Sequence, residues 1–225
     1  TLKDDDRNDP LITDEALEML GIMTREEYKV LVGLTRKVGA IVKASMAEKG
    51  LEPVDNMDFY DNEQEACAGR IISCTMNGSL PMLVEIQALV SYSRYGVPQR
   101  VGTGINFKRM QMLLGIAEKH LDIKIGNMDV FLNVSAGLNI QDTMCDLAFI
   151  AALFSSAKGK PVDNVTAVLG EVKLSGDITG SRQMETRIKH MRNAGIKRII
   201  MPGKEDKKDS GIIRVRTIRQ LEGVL

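Results

Sequence analysis

The hydrophobic pattern changes once along the chain, and this change limits what the chain can fold into. From Thr24 to Gly50, apolar residues recur at helical spacing, and Glu27 completes a capping-box pattern with Thr24. Residues 54–66 (VDNMDFYDNEQEA) are acidic and show no clear period. From Gly69 the pattern becomes that of strands. A helical segment and a strand-rich segment are therefore expected to fold separately.

The charge distribution supports the same division. The first 56 residues hold 8 Lys and Arg against 12 Asp and Glu, a net charge of −4. Because the whole chain has a net charge of zero, the remaining residues carry +4. We predict a helical segment over residues 1–56, a linker over 57–65 and one domain over 66–225.

The strand-rich part mixes a hairpin with alternating helices and strands. Its first run, GRIISCTMNGSLPMLVEIQALV, contains Asn77-Gly78, a strong hairpin-turn signal. The pattern then predicts helices over 106–121, 143–157, 181–193 and 218–224, and strands over 129–134, 164–169, 170–178, 198–201 and 212–215. Because a hairpin occurs together with strand–helix alternation, we predict an α+β fold with a mixed sheet.

Composition narrows the function classes. There is no Trp, aromatic residues make up 4% of the chain and Met occurs 13 times, so we expect an aliphatic, Met-rich core. A net charge of zero means that nucleic-acid binding would need a local basic patch. Three cysteines without a CxxC pair, together with two histidines, give no zinc-site pattern. We expect a cytoplasmic protein with neither metal nor cofactor, and no apolar run is long enough for a membrane span.

The stretch NVSAGLNIQDTMCDLAFIAAL has the form of a nucleophile turn. A strand over 129–134 feeds a short loop, and a helix begins near Thr143. The positions that could hold a nucleophile are Thr143, Met144 and Cys145. The sequence contains no GxxxxGK[ST], HExxH or GxSxG motif, so the nucleotide and hydrolase sites that these motifs mark are not indicated.

Six blocks in order carry a resemblance to a known family: GRIISCTMNGSLPMLVEIQALVS, YGVPQR, NFKRMQMLLGIAEKH, DVFLNVSAGLNIQDTMCDLAFIAAL, GEVKLSGDI and AGIKRIIMP. Together they resemble the C-terminal Lon-protease-like domain of the RadA (Sms) family of bacterial DNA repair proteins. The resemblance implies a fold of the ribosomal protein S5 domain 2-like type over the second part of the chain.

The same resemblance implies that the peptidase chemistry is absent. Active Lon proteases use a Ser–Lys dyad, in which a desolvated Lys serves as base for the Ser hydroxyl. Here Met144 falls on the Ser position and Glu185 on the Lys position. A thioether cannot attack a carbonyl, so we expect a non-catalytic domain. A cryptic peptidase that uses Cys145 or Thr143 is the alternative.

The family resemblance also implies ring assembly, hexameric in that family, and binding to single-stranded or branched DNA. The candidate DNA contacts are Arg94, Arg100, Lys108 and Arg109, which cluster around a loop and a helix start. The alternative for these residues is a solvated surface with a few ion pairs, since the family's PRR reads Pro98-Gln99-Arg100 here. For residues 66–225 as a whole, the alternative is a purely structural oligomerisation domain.

Residues 1–55 show a different resemblance, to a segment of SAICAR synthetase, a purine-biosynthesis ligase. The match continues through Val54-Asp55 and then stops, and the Lys and Glu of that family's next strand fall on Met57 and Phe59. About 55 residues cannot hold ATP, a metal and two substrates, so we expect no ligase activity, although a synthetase fragment stays an alternative. A natural fusion, a designed chimera and an assembly artefact all fit a chain of two such parts.

Overall fold

The computed structural model describes residues 65–78, 80–93, 96–181, 183–204 and 211–225. The predictions for the helical segment over 1–56 and for Arg94 lie outside the described residues, as does nearly all of the predicted linker. The proposed division into two parts therefore stays a prediction.

Nine strands and four helices make up the described part. The strands are β1 Arg70–Asn77, β2 Leu80–Tyr92, β3 Arg100–Thr103, β4 Met128–Val134, β5 Thr166–Val168, β6 Glu171–Val172, β7 Ile178–Thr179, β8 Arg198–Pro202 and β9 Ile212–Val215. The helices are α1 Phe107–His120, α2 Asp146–Lys158, α3 Met184–Asn193 and α4 Leu221–Val224. Short 3-10 turns occur at Ser135–Gly137, Thr143–Cys145 and Ile218–Gln220.

Seven of the strands form one mixed sheet in the order β3-β4-β2-β1-β5-β8-β9. The pairs β1–β2 and β2–β4 are antiparallel, whereas the other four pairs are parallel. The two remaining strands, β6 and β7, form a small antiparallel hairpin. This architecture confirms the predicted mixed sheet with helices and is compatible with an α+β fold.

The hairpin between β1 and β2 forms where the sequence predicted it. Asn77 pairs with Leu80, and Gly78 has a φ of +61°, a left-handed conformation that glycine adopts without a steric penalty. The register follows from this turn, so that Ile71 lies opposite Ile86 and both side chains are buried.

Apolar residues cover both faces of the sheet. One cluster joins the sheet to α1 and α2, and the other joins the opposite face to α3. Helix α2 is buried from Leu147 to Ser155 because it packs against β1 and β2 on one side and α1 on the other. It ends at Gly159, whose φ of +64° gives a left-handed C-cap. Methionines such as Met110 and Met191 are fully buried, in agreement with the expected Met-rich core.

The predicted helix over 106–121 is α1, and its first residue acts as the expected cap. The Asn106 side chain accepts hydrogen bonds from the backbone N–H groups of Lys108 and Arg109, at 3.0 and 3.3 Å. Strand β3, directly upstream, was not predicted, because a four-residue strand with a central glycine has too few positions to show an alternating pattern.

Candidate functional site

The predicted nucleophile turn connects β4 to α2. Strand β4 ends at Val134, and a 3-10 turn with Ala136 at a φ of +61° follows. The Asp142 carboxylate then caps the second 3-10 turn, because its Oδ1 accepts a hydrogen bond from the Met144 N–H at 3.0 Å. The predicted helix over 143–157 therefore starts as a 3-10 turn and becomes α-helical at Asp146.

Met144 is a core residue. Its exposure is 3%, and it belongs to the apolar cluster beneath α3, which also contains Leu83, Leu169 and Met191. Its carbonyl accepts a hydrogen bond from the Gly170 N–H at 2.8 Å. The side chain thus contributes to packing at the predicted nucleophile position.

Glu185, the predicted partner position, lies in the first turn of α3 and is exposed. Among the described residues its carboxylate forms no hydrogen bond or ion pair with any other group. Met144 is buried and Glu185 is solvated, so the two do not form an interacting pair. Their assignment as former dyad positions stays a prediction.

A buried ion pair that sequence reasoning missed holds this turn in place. Arg187, 2% exposed, lies two residues beyond Glu185 and directs Nη1 at Asp142 Oδ2, at 2.7 Å. The same Nη1 donates to the Cys74 carbonyl at 2.5 Å. Asp142 Oδ2 also accepts a hydrogen bond from the Met76 N–H at 2.9 Å. The pair therefore connects α3, strand β1 and the turn.

No local pattern reveals this ion pair. Asp142 and Arg187 are 45 positions apart, and an Asp before a helix is accounted for by capping alone. The only available signal is an Arg on the helical face that also carries Met184, Ile188 and Met191.

The cysteine beside Met144 lies in the core. Cys145 is fully buried, and the Ser73 hydroxyl lies 3.5 Å from its Sγ. Burial raises the pKa of the Cys145 thiol to about 12, although the Ser73 hydrogen bond acts in the opposite direction. Burial likewise raises the pKa of Cys74 to about 11. Because thiolates rather than thiols are the nucleophiles, we expect low reactivity of both groups near neutral pH.

Two clefts flank the loop that precedes the turn. One, of about 290 Å³, is lined by Asn106, Arg109, Thr143 and Asp146 among others. The second, of about 270 Å³, is lined by Thr75, Met76 and Met82 on the β1–β2 side. Residues 139–142 line both clefts. Neither cleft contains a thiol, a histidine or a lysine among its lining residues.

Two of the candidate DNA contacts have structural partners. Arg109 donates from Nε to Asp146 Oδ1 at 2.9 Å and from Nη2 to Asp146 Oδ2, a two-pronged contact with a carboxylate that is 4% exposed. Arg100 donates to backbone carbonyls of the loop before β4, including that of Ile125 at 2.6 Å. Both guanidinium groups therefore tie elements together.

The remaining described candidate, Lys108, is exposed at the start of α1. Its ammonium group has no hydrogen bond or ion pair among the described residues, so it is open to solvent. Arg94 lies outside the described part of the chain.

The described residues offer no metal site. Within these ranges, no group of three or more His, Cys, Asp or Glu could hold a metal ion. None of the helices in the described part is long and apolar enough to cross a membrane.

Two family models match the chain. SAICAR synthetase matches residues 1–60, in agreement with the resemblance seen over residues 1–55. The family described as subunit ChlI of Mg-chelatase matches residues 101–205.

Curated relatives cover more of the chain. "DNA repair protein RadA" of Helicobacter pylori is 37% identical over 88% of this chain and 45% of its own length. The protein of the same name from Pseudomonas aeruginosa is 36% identical with the same coverage, and that of Haemophilus influenzae is 31% identical over 96% of this chain and 49% of its own. These alignments are longer than residues 66–225, so they overlap the SAICAR synthetase match.

The chain spans just under half the length of these relatives. Their names agree with the resemblance carried by the six sequence blocks of the second part. Over most of its length, the chain is a homologue of the bacterial DNA repair proteins named RadA.

Proposed function

We propose that the second part of the chain is a non-catalytic Lon-like scaffold domain of a RadA-type DNA repair protein. In this role it supports oligomerisation and DNA binding and breaks no peptide bond. The observation that carries the proposal is the burial of Met144 in the apolar core at the nucleophile position, with Glu185 solvated at the partner position.

The side chains around the turn support a structural role. Asp142 uses both carboxylate oxygens to cap the turn and to hold β1, and Arg187 fixes that carboxylate to α3. Cys145 is buried with a raised pKa, and Thr143 has no histidine or lysine beside it in the cleft that it lines. A hydroxyl or thiol nucleophile needs a base within hydrogen-bond reach, and the two carboxylates that line this cleft, Asp142 and Asp146, are paired with Arg187 and Arg109.

A peptidase assay tests the non-catalytic half. We expect no turnover of casein by the full chain at neutral pH. Turnover that disappears in Cys145→Ala, with folding retained, would overturn the proposal and support the cryptic peptidase. The Cys67→Ser variant is the matched control, because Cys67 is exposed and distant in sequence from the turn.

A binding titration tests the DNA half. Filter binding of a single-stranded oligonucleotide is measured at about 50 mM and about 200 mM salt, because contacts to phosphates weaken as salt rises. We expect micromolar binding that decreases with salt. Absence of salt-sensitive binding at micromolar protein would contradict DNA binding by this chain.

Light scattering tests whether the chain forms oligomers. We expect a mass of several chains at micromolar concentration, whereas a strict monomer would count against the ring. A folded oligomer that is indifferent to DNA would instead favour the purely structural alternative.

A further inference from the structure

The residues around α3, β8 and β9 are strongly basic. The described stretches 183–204 and 211–219 hold nine Lys and Arg but one carboxylate, Glu185. Residues 205–210, outside the described part, add three acidic and two basic residues. The basic excess is therefore a property of the described surface, and none of the sequence-predicted DNA contacts belongs to it.

Two of these nine side chains are paired with a carboxylate and are not counted as part of the surface. Arg187 is buried against Asp142. Arg198 donates from Nη2 to the Val224 carbonyl and lies 3.9 Å from Asp163. The other basic side chains are exposed or half-exposed.

Helix α3 and the start of β8 supply one end of this surface. Arg192 donates from Nη1 to the Lys197 carbonyl at 2.6 Å, and its guanidinium lies against Gly211, just before β9. Gly211 has a φ of +103° and space for no Cβ, so the guanidinium can approach the backbone there. Lys189 is exposed one helical turn before Arg192, and Lys197 is exposed where β8 begins.

Strand β9 supplies the other end. It is the edge strand of the sheet, and Arg214 lies opposite Met201 of β8. The stem of Arg214 packs over Gly203, where an added Cβ would lie 2.9 Å from Cδ. Arg216, the residue directly after β9, is exposed.

The positions of Met201 and Ile212 indicate on which face of the sheet Arg214 lies. Both belong to or pack against the cluster beneath α3, so Arg214 projects on the side of the sheet that carries α3. Lys189, Arg192, Lys197 and Arg214 therefore lie around this edge of the sheet, and they are here called the β9 strip.

We infer that the β9 strip is a binding surface for the phosphate backbone of nucleic acid. This inference rests on the DNA binding proposed above and gives it a location that the sequence did not indicate. Guanidinium groups suit phosphate because their planar forks donate two hydrogen bonds. Cations spread over α3, the start of β8 and β9 suit a polyanion better than a single small anion.

Charge reversal tests the location. The full chain with Lys189→Glu and Arg214→Glu is compared with the unmodified chain by anisotropy of a labelled single-stranded oligonucleotide. We expect about tenfold weaker binding at low salt and a shallower salt dependence, by about 0.7 in slope for each phosphate that the variant no longer binds. The Lys124→Glu and Lys160→Glu double variant is the matched control, because both lysines are exposed and lie outside the strip.

The outcomes separate the two proposals. Unchanged affinity in the Lys189 and Arg214 variant, with weaker binding by Lys108→Glu, overturns the β9 strip and leaves DNA binding in place. Equal weakening by the control variant also overturns the strip, because only net charge would then matter. No binding by the unmodified chain removes both proposals. If the reversal variant is unfolded by circular dichroism, Lys189→Gln with Arg214→Gln serves instead, and about threefold weaker binding is expected.

Discussion

The Asp142 carboxylate binds several groups around the turn that precedes α2. Its two oxygens accept hydrogen bonds from the N–H groups of Met144 and Met76, and Arg187 completes the set. Arg187 Nε is buried without a hydrogen-bond partner among the described residues, so desolvation of this guanidinium is only partly compensated. The pair therefore fixes geometry more than it adds net stability.

A double-mutant cycle on this pair has an expected outcome. Arg187→Met should lower the free energy of unfolding by about 3 kcal/mol, because it leaves the Asp142 carboxylate without its cation. Asp142→Asn should also destabilise, whereas the double variant should lose less than the sum of the two single changes. Urea unfolding measures all four proteins, and strictly additive losses would contradict the coupling.

Thiol chemistry at the residue scale distinguishes the three cysteines. Cys67 is exposed, whereas Cys74 and Cys145 are buried and have raised pKa values. We expect a disulfide reagent at pH 8 to modify one thiol rapidly in the folded protein and all three in denaturant. Cys67→Ser should abolish the rapid reaction. Rapid modification of Cys145 in the folded state would contradict its burial.

At the scale of elements, Arg109 and Asp146 form an ion pair that joins α1 to α2. Asp146 begins α2, where a negative charge is favourable at a helix N-terminus, and its Oδ2 also accepts from the Val172 N–H at 3.3 Å. One carboxylate thus joins two helices to β6. This use of Arg109 explains why a basic residue at the start of α1 need not indicate a ligand.

Adjacent residues of α1 provide a matched comparison. Arg109→Gln should lower the free energy of unfolding by about 1–3 kcal/mol, since it removes a charge-assisted contact with a buried carboxylate. Lys108→Gln should change it by less than about 0.5 kcal/mol, as expected for an exposed side chain. Denaturant titration of both variants checks this. Equal effects would show that the contact with Asp146 adds little.

At the scale of the whole molecule, the buried thiols predict a dependence on alkaline pH. The pKa values of Cys74 and Cys145 rise from 9.0 to about 11 and about 12 on folding, so above pH 9 the unfolded chain binds fewer protons than the folded one. The stability that neutral burial contributes is therefore fully present below pH 9 and is lost as pH rises towards 12, by up to about 1.4 kcal/mol per pH unit for each thiol.

The measurement is urea unfolding from pH 8 to pH 11. A Cys74→Ala and Cys145→Ala variant should show a shallower fall in stability than the unmodified chain, because lysine and tyrosine titrations are common to both. Parallel curves would contradict the assignment to these thiols.

Sequence alone determined the local features of this protein. The Asn77-Gly78 turn and the Asn106 cap each depend on hydrogen bonds between residues close in sequence. The order of the motifs likewise indicates the similarity to the RadA relatives. A residue's own conformational preference acts over a few positions, so such features can be predicted from the sequence.

Only the tertiary structure decided which charged side chains bind other groups of the protein and which are exposed to solvent. Asp142 with Arg187, and Arg109 with Asp146, meet because the sheet order brings their elements together. The β9 strip forms for the same reason. Strand β9 lies beside β8 at an edge of the sheet, and Arg214 lies on the face that carries α3. Coulombic and hydrogen-bond partners depend on distance in space, and the strand order that sets this distance is a property of the folded core.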